Sequence, residues 1–344
     1  MRKPALAGLI LSLLFSFCCA SVFAESGTSG HKATKKHKRI TVKVVKLSNV
    51  LRIANQTVAR HAARQRIVLQ RVAYTPMPPV MTAGDLAGLQ LTHDPLELQS
   101  AVALVIDQEN SEVLFEKNSK VVLPIASITK LMTGLVVVEA QQNMDELLEV
   151  TEEDIDKEKN SSSRLRIGAQ LTRSNMLHIA LMSSENRAAS ALGRNYPGGL
   201  PAFVAAMNEK ARALGMTGTR YVDSTGLSSQ NMASAQDLAK LVVAAHKHPI
   251  LCQYSTDTKY VVDTGGYQLQ YQSSNRLVAN PEWEIGLQKT GYIAEAGRCL
   301  VMQAKIQGRA VIMVFLDSKG KYSRLADAGR IRKWLATLKG QAIS

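Results

Sequence analysis

Ser127 and Lys130, in the sequence PIASITKLMTG, have the types and the spacing of a nucleophile and its base. Apolar residues recur at helical spacing after Pro124, which predicts that a helix begins here. Positions i and i+3 of a helix share a face, so the lysine amine can lie beside the serine hydroxyl. The positive end of the helix dipole would stabilise the serine alkoxide. A serine at this place can equally be a helix cap, and the spacing by itself leaves both interpretations open.

Lys130 can accept a proton only in its neutral form, so its ordinary pKa of about 10.4 must be lowered by a few units. A second buried cation nearby would do this by like-charge repulsion. Lys289 in the sequence LQKTG is the candidate, because it lies in a predicted strand directly before Thr290 and Gly291. The glycine leaves room for a ligand beside the strand, while the threonine hydroxyl and the lysine suit a substrate carboxylate. No histidine has a setting that favours a Ser-His-Asp triad.

A third polar element, Ser-x-Asn, is expected between these two. Three copies qualify by their order in the chain: Ser184 to Asn186, Ser229 to Asn231, and Ser273 to Asn275. We choose the first copy, because LMSSENRAAS lies between two helical segments, where a short loop can direct side chains into a cleft. Ser184 could relay a proton to a departing amine, and Asn186 could hold a substrate amide.

Ser-x-x-Lys, Ser-x-Asn and Lys-Thr-Gly, in that order, are the motifs of the penicillin-binding proteins and serine β-lactamases. The sequence resembles this superfamily from about Leu98 to Leu338. The stretches PIASITKLMTG, ALMSSENRAA, YPGG, NEKARALGMTGTRYVDSTGLS and LQKTGYIAEAGRCLVM are similar to the D-alanyl-D-alanine endopeptidases among the low-molecular-mass penicillin-binding proteins.

The resemblance implies a covalent mechanism. Ser127 would attack the carbonyl of a D-alanine residue in a peptidoglycan stem peptide, with Lys130 as the base, and water would clear the acyl-enzyme. The backbone N–H groups of Ser127 and Tyr292 would form the oxyanion hole. β-Lactam antibiotics would acylate the same serine, and neither a metal nor an organic cofactor is implied.

The resemblance also implies the binding roles. Ser184 and Asn186 would line the cleft, and Lys289 with Thr290 would bind negative charge on the substrate. Cleavage of the D-alanyl to diaminopimelyl cross-link is favoured, because carboxypeptidases of the group typically carry a further C-terminal β domain and an anchor. A class A β-lactamase is disfavoured by Ser-Glu-Asn in place of Ser-Asp-Asn. A non-catalytic wall-binding protein is the alternative from another class.

The fold implied by the order of elements is α/β. Two β-rich runs, SAVALVID and SEVLFEKN, precede a mainly helical middle, and three more follow it: WEIGLQKTG, GRCLVMQAKI and RAVIMVFLD. This order predicts a five-stranded antiparallel sheet flanked by helices, with a largely helical insert, as in the DD-peptidase and β-lactamase fold. The closing amphipathic helix, YSRLADAGRIRKWLATLK, is expected to cover one face and the insert the other.

The chain is predicted to divide at residues 24 and 96. Residues 1–24 read as a cleavable signal peptide, so we expect a periplasmic protein that is soluble or peripherally attached. Residues 25–80 contain twelve Lys or Arg and one acid, and we assign residues 25–96 to a basic, disordered arm and linker. Its expected partners are anionic lipid or wall polymers rather than nucleic acid, with a solvated spacer as the alternative. The catalytic domain is predicted over residues 97–340. Within it, Cys252 and Cys299 are expected to be either a disulfide pair or buried thiols.

Overall fold

The computed structural model of the protein describes residues 80–341. The strands in chain order are β1 (Ser100–Asp107), β2 (Val113–Lys117), β3 (Leu123–Pro124), β4 (Leu147–Glu149), β5 (Gln170–Thr172), β6 (Met232–Ala233), β7 (Lys259–Asp263), β8 (Gln268–Gln272), β9 (Glu284–Ile293), β10 (Gly297–Ile306) and β11 (Arg309–Ser318). The helices in chain order are α1 (Ala83–Leu86), α2 (Thr129–Glu139), α3 (Arg173–Met182), α4 (Asn186–Arg194), α5 (Gly199–Ala213), α6 (Ala235–His246), α7 (Pro249–Thr256) and α8 (Ser323–Gln341).

The predicted five-stranded antiparallel sheet is confirmed, with the order β2-β1-β11-β10-β9. The first and last strand pairs of the chain meet in its middle, where Ser100 of β1 lies opposite Ser318 of β11. Strand β9 forms one edge and carries the Lys-Thr-Gly motif, with Lys289 opposite Val301 of β10. This edge strand contacts the turn that holds Ser127, and the turn leads into the helical part of the chain.

Both faces of the sheet are buried, as the apolar strands require. Side chains alternate along a strand, so Leu300 belongs to the core under α8 while its neighbour Val301 belongs to the core under the helical insert. Ile331 and Leu335 of α8 pack in the same core as Leu300. The expectation that the closing helix covers one face and the insert the other is therefore confirmed.

The folded part begins earlier than the predicted boundary at residue 97. Thr82 Oγ1 donates to Asp317 Oδ2 at 2.7 Å, and Ala83 N donates to Glu295 O at 2.8 Å. Thr82 also forms a capping box with Asp85 at the start of α1. No local pattern can predict these contacts, because the partner of Thr82 lies 235 positions away along the chain.

The other predictions for the N-terminus, namely the signal peptide and residues 25–79 of the arm, lie outside the described residues. Within residues 80–341, no helix is both long and apolar enough to cross a membrane.

Candidate active site

Ser127 lies in a 3-10 turn, Ala126–Ile128, which runs directly into α2. The N-cap position of α2 is Ile128, so Ser127 does not cap the helix. Lys130 Nζ donates to Ser127 Oγ at 3.0 Å. The i,i+3 spacing thus places the amine against the hydroxyl, as the sequence predicted, and leaves the serine partly exposed.

Two glycines allow the chain to close around this turn, in which Ala126 has a positive φ of 49°. A Cβ at Gly226 would lie 2.0 Å from the carbonyl oxygen of Ala126, and one at Gly291 would lie 2.9 Å from that of Ile125. The same Cβ at Gly291 would be 3.2 Å from Ser127 N. Strand β9 therefore passes next to the amide of Ser127, which only glycine permits.

The Lys130 side chain is completely buried and is held by three oxygens. Besides the bond to Ser127, its Nζ donates to Asn186 Oδ1 at 2.7 Å and to Thr225 O at 2.5 Å. The Nδ2 of Asn186 in turn donates to Ser161 Oγ at 2.8 Å. The amine is thereby fixed within reach of the serine proton.

Burial lowers the pKa of Lys130 to about 8, although three carboxylates oppose the shift: Asp223, Glu185 and Asp156. The pKa of Lys130 is lowered by about the expected amount, but the expected cause, repulsion by a second cation, is wrong. Desolvation of the ammonium, rather than repulsion by Lys289, is the leading cause. A helix face that becomes covered on all sides supplies this effect, and a spacing in the sequence does not reveal it.

Lys289 forms a second serine–lysine pair. Its Nζ donates to Ser184 Oγ at 2.9 Å and to the carbonyl oxygen of Thr290 at 2.8 Å. The side chain is fully buried, and burial together with the positive charges of Lys130 and Arg324 holds its pKa well below the usual value. Ser184 has a positive φ of 66°, so the loop before α4 turns sharply to present its hydroxyl.

The remaining predicted residues lie along the edge strand. The Oγ atoms of Thr290 and Ser274 are hydrogen-bonded at 2.7 Å. Tyr292 is 55% exposed, and the Arg298 guanidinium lies over its ring at 4.3 Å. The structure therefore brings all the predicted site residues to one cleft of about 420 Å³, which is lined by Ser127, Lys159, Ser161, Ser184, Asn186, Leu227, Thr290, Gly291, Tyr292, Ile293, Ala294 and Arg324, with both lysines bonded beneath it.

The other Ser-x-Asn copies have different surroundings. Asn231 is buried and accepts from Val222 N at 2.8 Å, while its Nδ2 donates to Asp223 at 2.6 Å. Asn275 caps a 3-10 turn by accepting from Leu277 N. The copy at Ser184 and Asn186 is the one that contacts both lysines.

Sequence reasoning missed the loop that supplies the third oxygen around Lys130. Asp223 Oδ1 accepts from the backbone N–H groups of Thr225 at 2.6 Å and Gly226 at 2.7 Å. These bonds hold the loop so that Thr225 O points at the lysine. An aspartate followed three residues later by glycine is a recognised turn pattern, so Asp-Ser-Thr-Gly was a detectable signal for the turn but not for its partner.

Sequence reasoning also missed Arg324, at the start of α8. Its guanidinium lines the cleft and is 8% exposed, and its Nε and Nη1 have no hydrogen-bond partner within residues 80–341. Burial and the nearby Arg298 lower its pKa. Buried N–H groups of this kind favour a carboxylate ligand. No spacing signal could have found this residue, since the amphipathic pattern of α8 indicates only a covering helix.

The two cysteines within residues 80–341 are free thiols, Cys252 half-buried and Cys299 buried. Burial raises the pKa of Cys299 to about 12, which keeps it protonated. Among the described side chains, no group of three or more His, Cys, Asp or Glu is placed to hold a metal ion.

Comparisons with known proteins agree with this geometry. Residues 89–320 match the family described as D-alanyl-D-alanine carboxypeptidase. The chain is 48% identical over 253 residues to the D-alanyl-D-alanine endopeptidase of Pseudomonas aeruginosa, covering 73% of this chain and 81% of that protein. It is 42% identical over 243 residues to the endopeptidase of the same name from Escherichia coli, covering 70% and 78%.

Solved structures share the fold. The cefotaxime-bound penicillin-binding protein D2 of Listeria monocytogenes superimposes with a TM-score of 0.63 at 27% identity, covering 70% of this chain and 98% of that one. A DD-transpeptidase from Streptomyces superimposes with a TM-score of 0.65 at 24% identity, covering 71% and 98%.

Proposed function

The chain belongs to the D-alanyl-D-alanine carboxypeptidase family, and from this membership we propose that it is a serine-type D,D-endopeptidase that hydrolyses D-alanyl cross-links between peptidoglycan stem peptides. The observation that carries the proposal is the bond of 3.0 Å between Lys130 Nζ and Ser127 Oγ in an open cleft. The relatives at 48% and 42% identity are named endopeptidases, whereas a Bacillus subtilis relative at 31% is named a carboxypeptidase.

Acylation begins when neutral Lys130 takes the proton from Ser127 Oγ. The oxygen forms a bond to the carbonyl carbon of the D-alanyl residue, and the negative charge moves to the carbonyl oxygen. The backbone N–H groups of Ser127 and Tyr292 bind this oxyanion, since β9 passes beside the serine amide. Asn186, which already accepts from Lys130, binds the amide of the acyl donor with its remaining capacity.

Collapse of the tetrahedral intermediate breaks the bond between the carbonyl carbon and the nitrogen of the second stem peptide. The proton that Lys130 took from Ser127 passes to the departing amine through the hydroxyl of Ser184, which the bond from Lys289 holds in place. Lys130 is then neutral again. Water attacks the ester and gives a proton to Lys130, and this proton returns to Ser127 Oγ as the ester bond breaks. A β-lactam follows the first step only, and the cefotaxime-bound form of the Listeria relative is a structure of that related protein with such a compound.

The carboxylate next to the scissile bond, which belongs to the diaminopimelyl residue that leaves, binds between Lys289, Thr290 and Arg324. Arg324 has unpaired N–H groups at this wall of the cleft, and Thr290 contributes its hydroxyl. Placing the anion here orients the peptide along β9, so that the carbonyl carbon meets Ser127.

The deciding experiment uses purified protein with cross-linked muropeptide dimers and, separately, pentapeptide monomers, with the products resolved by mass. We expect dimers to be converted to two monomers. Release of D-alanine from the pentapeptide without cleavage of dimers would contradict the endopeptidase proposal and favour a D,D-carboxypeptidase. A protein that leaves both substrates intact while binding isolated wall would instead act as a wall-binding protein.

We also propose that the protein works in the periplasm, where its substrate lies. The supporting features are the N-terminal sequence that reads as an export signal and the basic composition of residues 25–80. The basic arm would contact anionic lipid or wall polymer. Fractionation of cells that produce the full chain tests this, because recovery in the cytoplasm with the N-terminal residues intact would contradict export.

A further inference from the structure

A second cavity, of about 560 Å³, adjoins the catalytic cleft. Ser184 and Asn186 line both spaces, so this cavity lies directly behind the segment proposed to contact the acyl donor. Its other walls come from residues 162–164, from Ser183 and Glu185, and from residues 270–272 of β8. We call it the side cavity. The proposed reaction uses none of these other walls.

The side cavity contains one cation and one anion, both fixed in place. Arg164 Nη1 donates to Gln270 O at 2.8 Å, and its guanidinium lies over the Tyr271 ring at 4.3 Å. Glu185 Oε1 accepts from Ser163 Oγ at 2.7 Å. The Tyr271 hydroxyl donates to the other carboxylate oxygen of Glu185 at 3.4 Å, and burial raises the pKa of Tyr271, which keeps that proton in place.

Both charged groups retain capacity for a ligand. A guanidinium has five N–H donors, and the contacts of Arg164 within the described residues use one of them together with the ring face. The Glu185 carboxylate likewise has acceptor sites beyond the bonds it makes to the protein. Among the ion pairs within residues 80–341, Arg164 and Glu185 are not joined to each other. Each charge is therefore open to a partner of opposite sign.

We propose that the side cavity binds the zwitterionic end of the acyl-donor stem peptide, namely the carbon of its diaminopimelyl side chain that carries one free ammonium and one free carboxylate. This inference rests on the proposed endopeptidase function. Arg164 binds the carboxylate, and Glu185 binds the ammonium. The diaminopimelyl residue immediately precedes the D-alanyl residue, so Asn186, at the shared wall, is positioned to hold the amide between them.

This arrangement would make the enzyme selective for the third stem residue. A side chain that ends in an amine alone would leave Arg164 without its partner, and a side chain with an amidated carboxyl would do the same. A charge-assisted hydrogen bond of this kind corresponds to a difference of about tenfold to a hundredfold in kcat/KM. The effect should appear mainly in KM, since the contact lies away from the reacting atoms.

The test compares three muropeptide dimers: the native one, one with the free diaminopimelyl carboxyl of the donor amidated, and one with its free amine acetylated. The enzymes are the wild type, Arg164→Gln, Glu185→Gln and the control Arg166→Gln. Arg166 is also an arginine stacked on a tyrosine, over the Tyr267 ring at 5.2 Å, but it lies outside the side cavity.

We expect Arg164→Gln to lower kcat/KM about tenfold or more for the native dimer and to change it little for the amidated one. Glu185 also raises the pKa of Lys130, so Glu185→Gln is judged by the ratio of kcat/KM for the native dimer to kcat/KM for the acetylated dimer. This ratio should fall about tenfold or more relative to the wild type. Arg166→Gln should keep the wild-type values. Equal kcat/KM for all three dimers with the wild-type enzyme would overturn the inference while leaving the endopeptidase function intact.

A competition arm separates the inference from the proposed function. Stem-peptide monomers, native or amidated at the same carboxyl, are compared as inhibitors of acylation by a fluorescent penicillin. Stronger inhibition by the native monomer, lost in Arg164→Gln, supports the side cavity as a binding site. This holds even if the wild type leaves all dimers intact, a result that would overturn only the endopeptidase function. Equal inhibition by both monomers would overturn the side cavity as a binding site.

Discussion

The cleft contains two serine–lysine pairs of almost equal length, built from different parts of the chain. Lys130 and Ser127 are three residues apart and 3.0 Å apart between Nζ and Oγ. Lys289 and Ser184 are separated by 105 residues, and their corresponding distance is 2.9 Å. The first pair lies on one helical turn, whereas the second joins the loop before α4 to the edge strand β9. Similar geometry therefore arises from a local and from a long-range arrangement.

Their electrostatic surroundings differ more than their geometry. Asp223, Glu185 and Asp156 favour the charged form of Lys130 against its burial, which leaves its pKa at about 8. Burial lowers the pKa of Lys289, and the positive charges of Lys130 and Arg324 lower it further, so that it lies well below the usual value. Lys130 is thus poised to exchange a proton near neutral pH, while a carboxylate of the substrate would restore the charge on Lys289. The first pair is suited to be the nucleophile and base, and the second to be the part that responds to the ligand.

The largest expected effect comes from removing the nucleophile of the first pair. Ser127→Ala should abolish covalent labelling by a fluorescent penicillin, because no ester can form. Ser229→Ala, in a Ser-x-Asn copy whose asparagine has a structural role, should label like the wild type. Labelling of Ser127→Ala, measured by gel fluorescence and mass, would contradict the assignment of Ser127 as the nucleophile.

Loss of the base should have the next largest effect. Lys130→Met should lower the acylation rate constant about 10²- to 10⁴-fold, as is usual when a general base is removed. Methionine retains the buried stem, and thermal unfolding checks that the variant is folded. Exposed Lys120 gives the control Lys120→Met.

The pH profile tests the same group in the unaltered enzyme. Only neutral Lys130 accepts a proton, so acylation should rise with pH through about 8 and then level off. A profile that is flat between pH 6 and pH 9, measured by stopped-flow acylation, would contradict the role of Lys130 as the base.

Breaking the second pair should cost less and leave the nucleophile reactive. Lys289→Met removes a charge-assisted bond to the substrate, so kcat/KM for dimers should fall about tenfold to a hundredfold. Penicillin labelling of Ser127 should persist, though more slowly. A loss as large as that of Lys130→Met, in parallel steady-state measurements, would mean that the two pairs do not have separate roles.

The smallest effect is expected from Arg324, which acts on the second pair. Arg324→Gln should raise KM about tenfold for substrates with a free carboxylate and leave kcat nearly unchanged. Arg332→Gln is a suitable control, because Arg332 pairs with Glu282 at 3.1 Å and does not line the cleft. An increase in KM equal for carboxylate and carboxamide substrates would show that Arg324 does not bind the anion.

Much of the fold was predictable because periodic patterns report local structure and burial. Strands β1 and β10 have the bounds of the predicted runs SAVALVID and GRCLVMQAKI. Other elements were not predicted, such as α7 and the β7–β8 hairpin. These are short, and β7 and β8 bury little of their surface, so their apolar periodicity is weak.

The spacing of Ser127 and Lys130 was enough to predict that their side chains meet, because i,i+3 geometry is a property of one helical turn. The motifs of the sequence also identified which distant segments to combine. The folded structure was needed to show that Lys289 meets Ser184, that Arg324 enters the cleft, and that burial rather than repulsion lowers the pKa of Lys130. Desolvation and long-range contacts depend on how remote segments pack, and that information is carried by the folded chain as a whole and not by any local spacing.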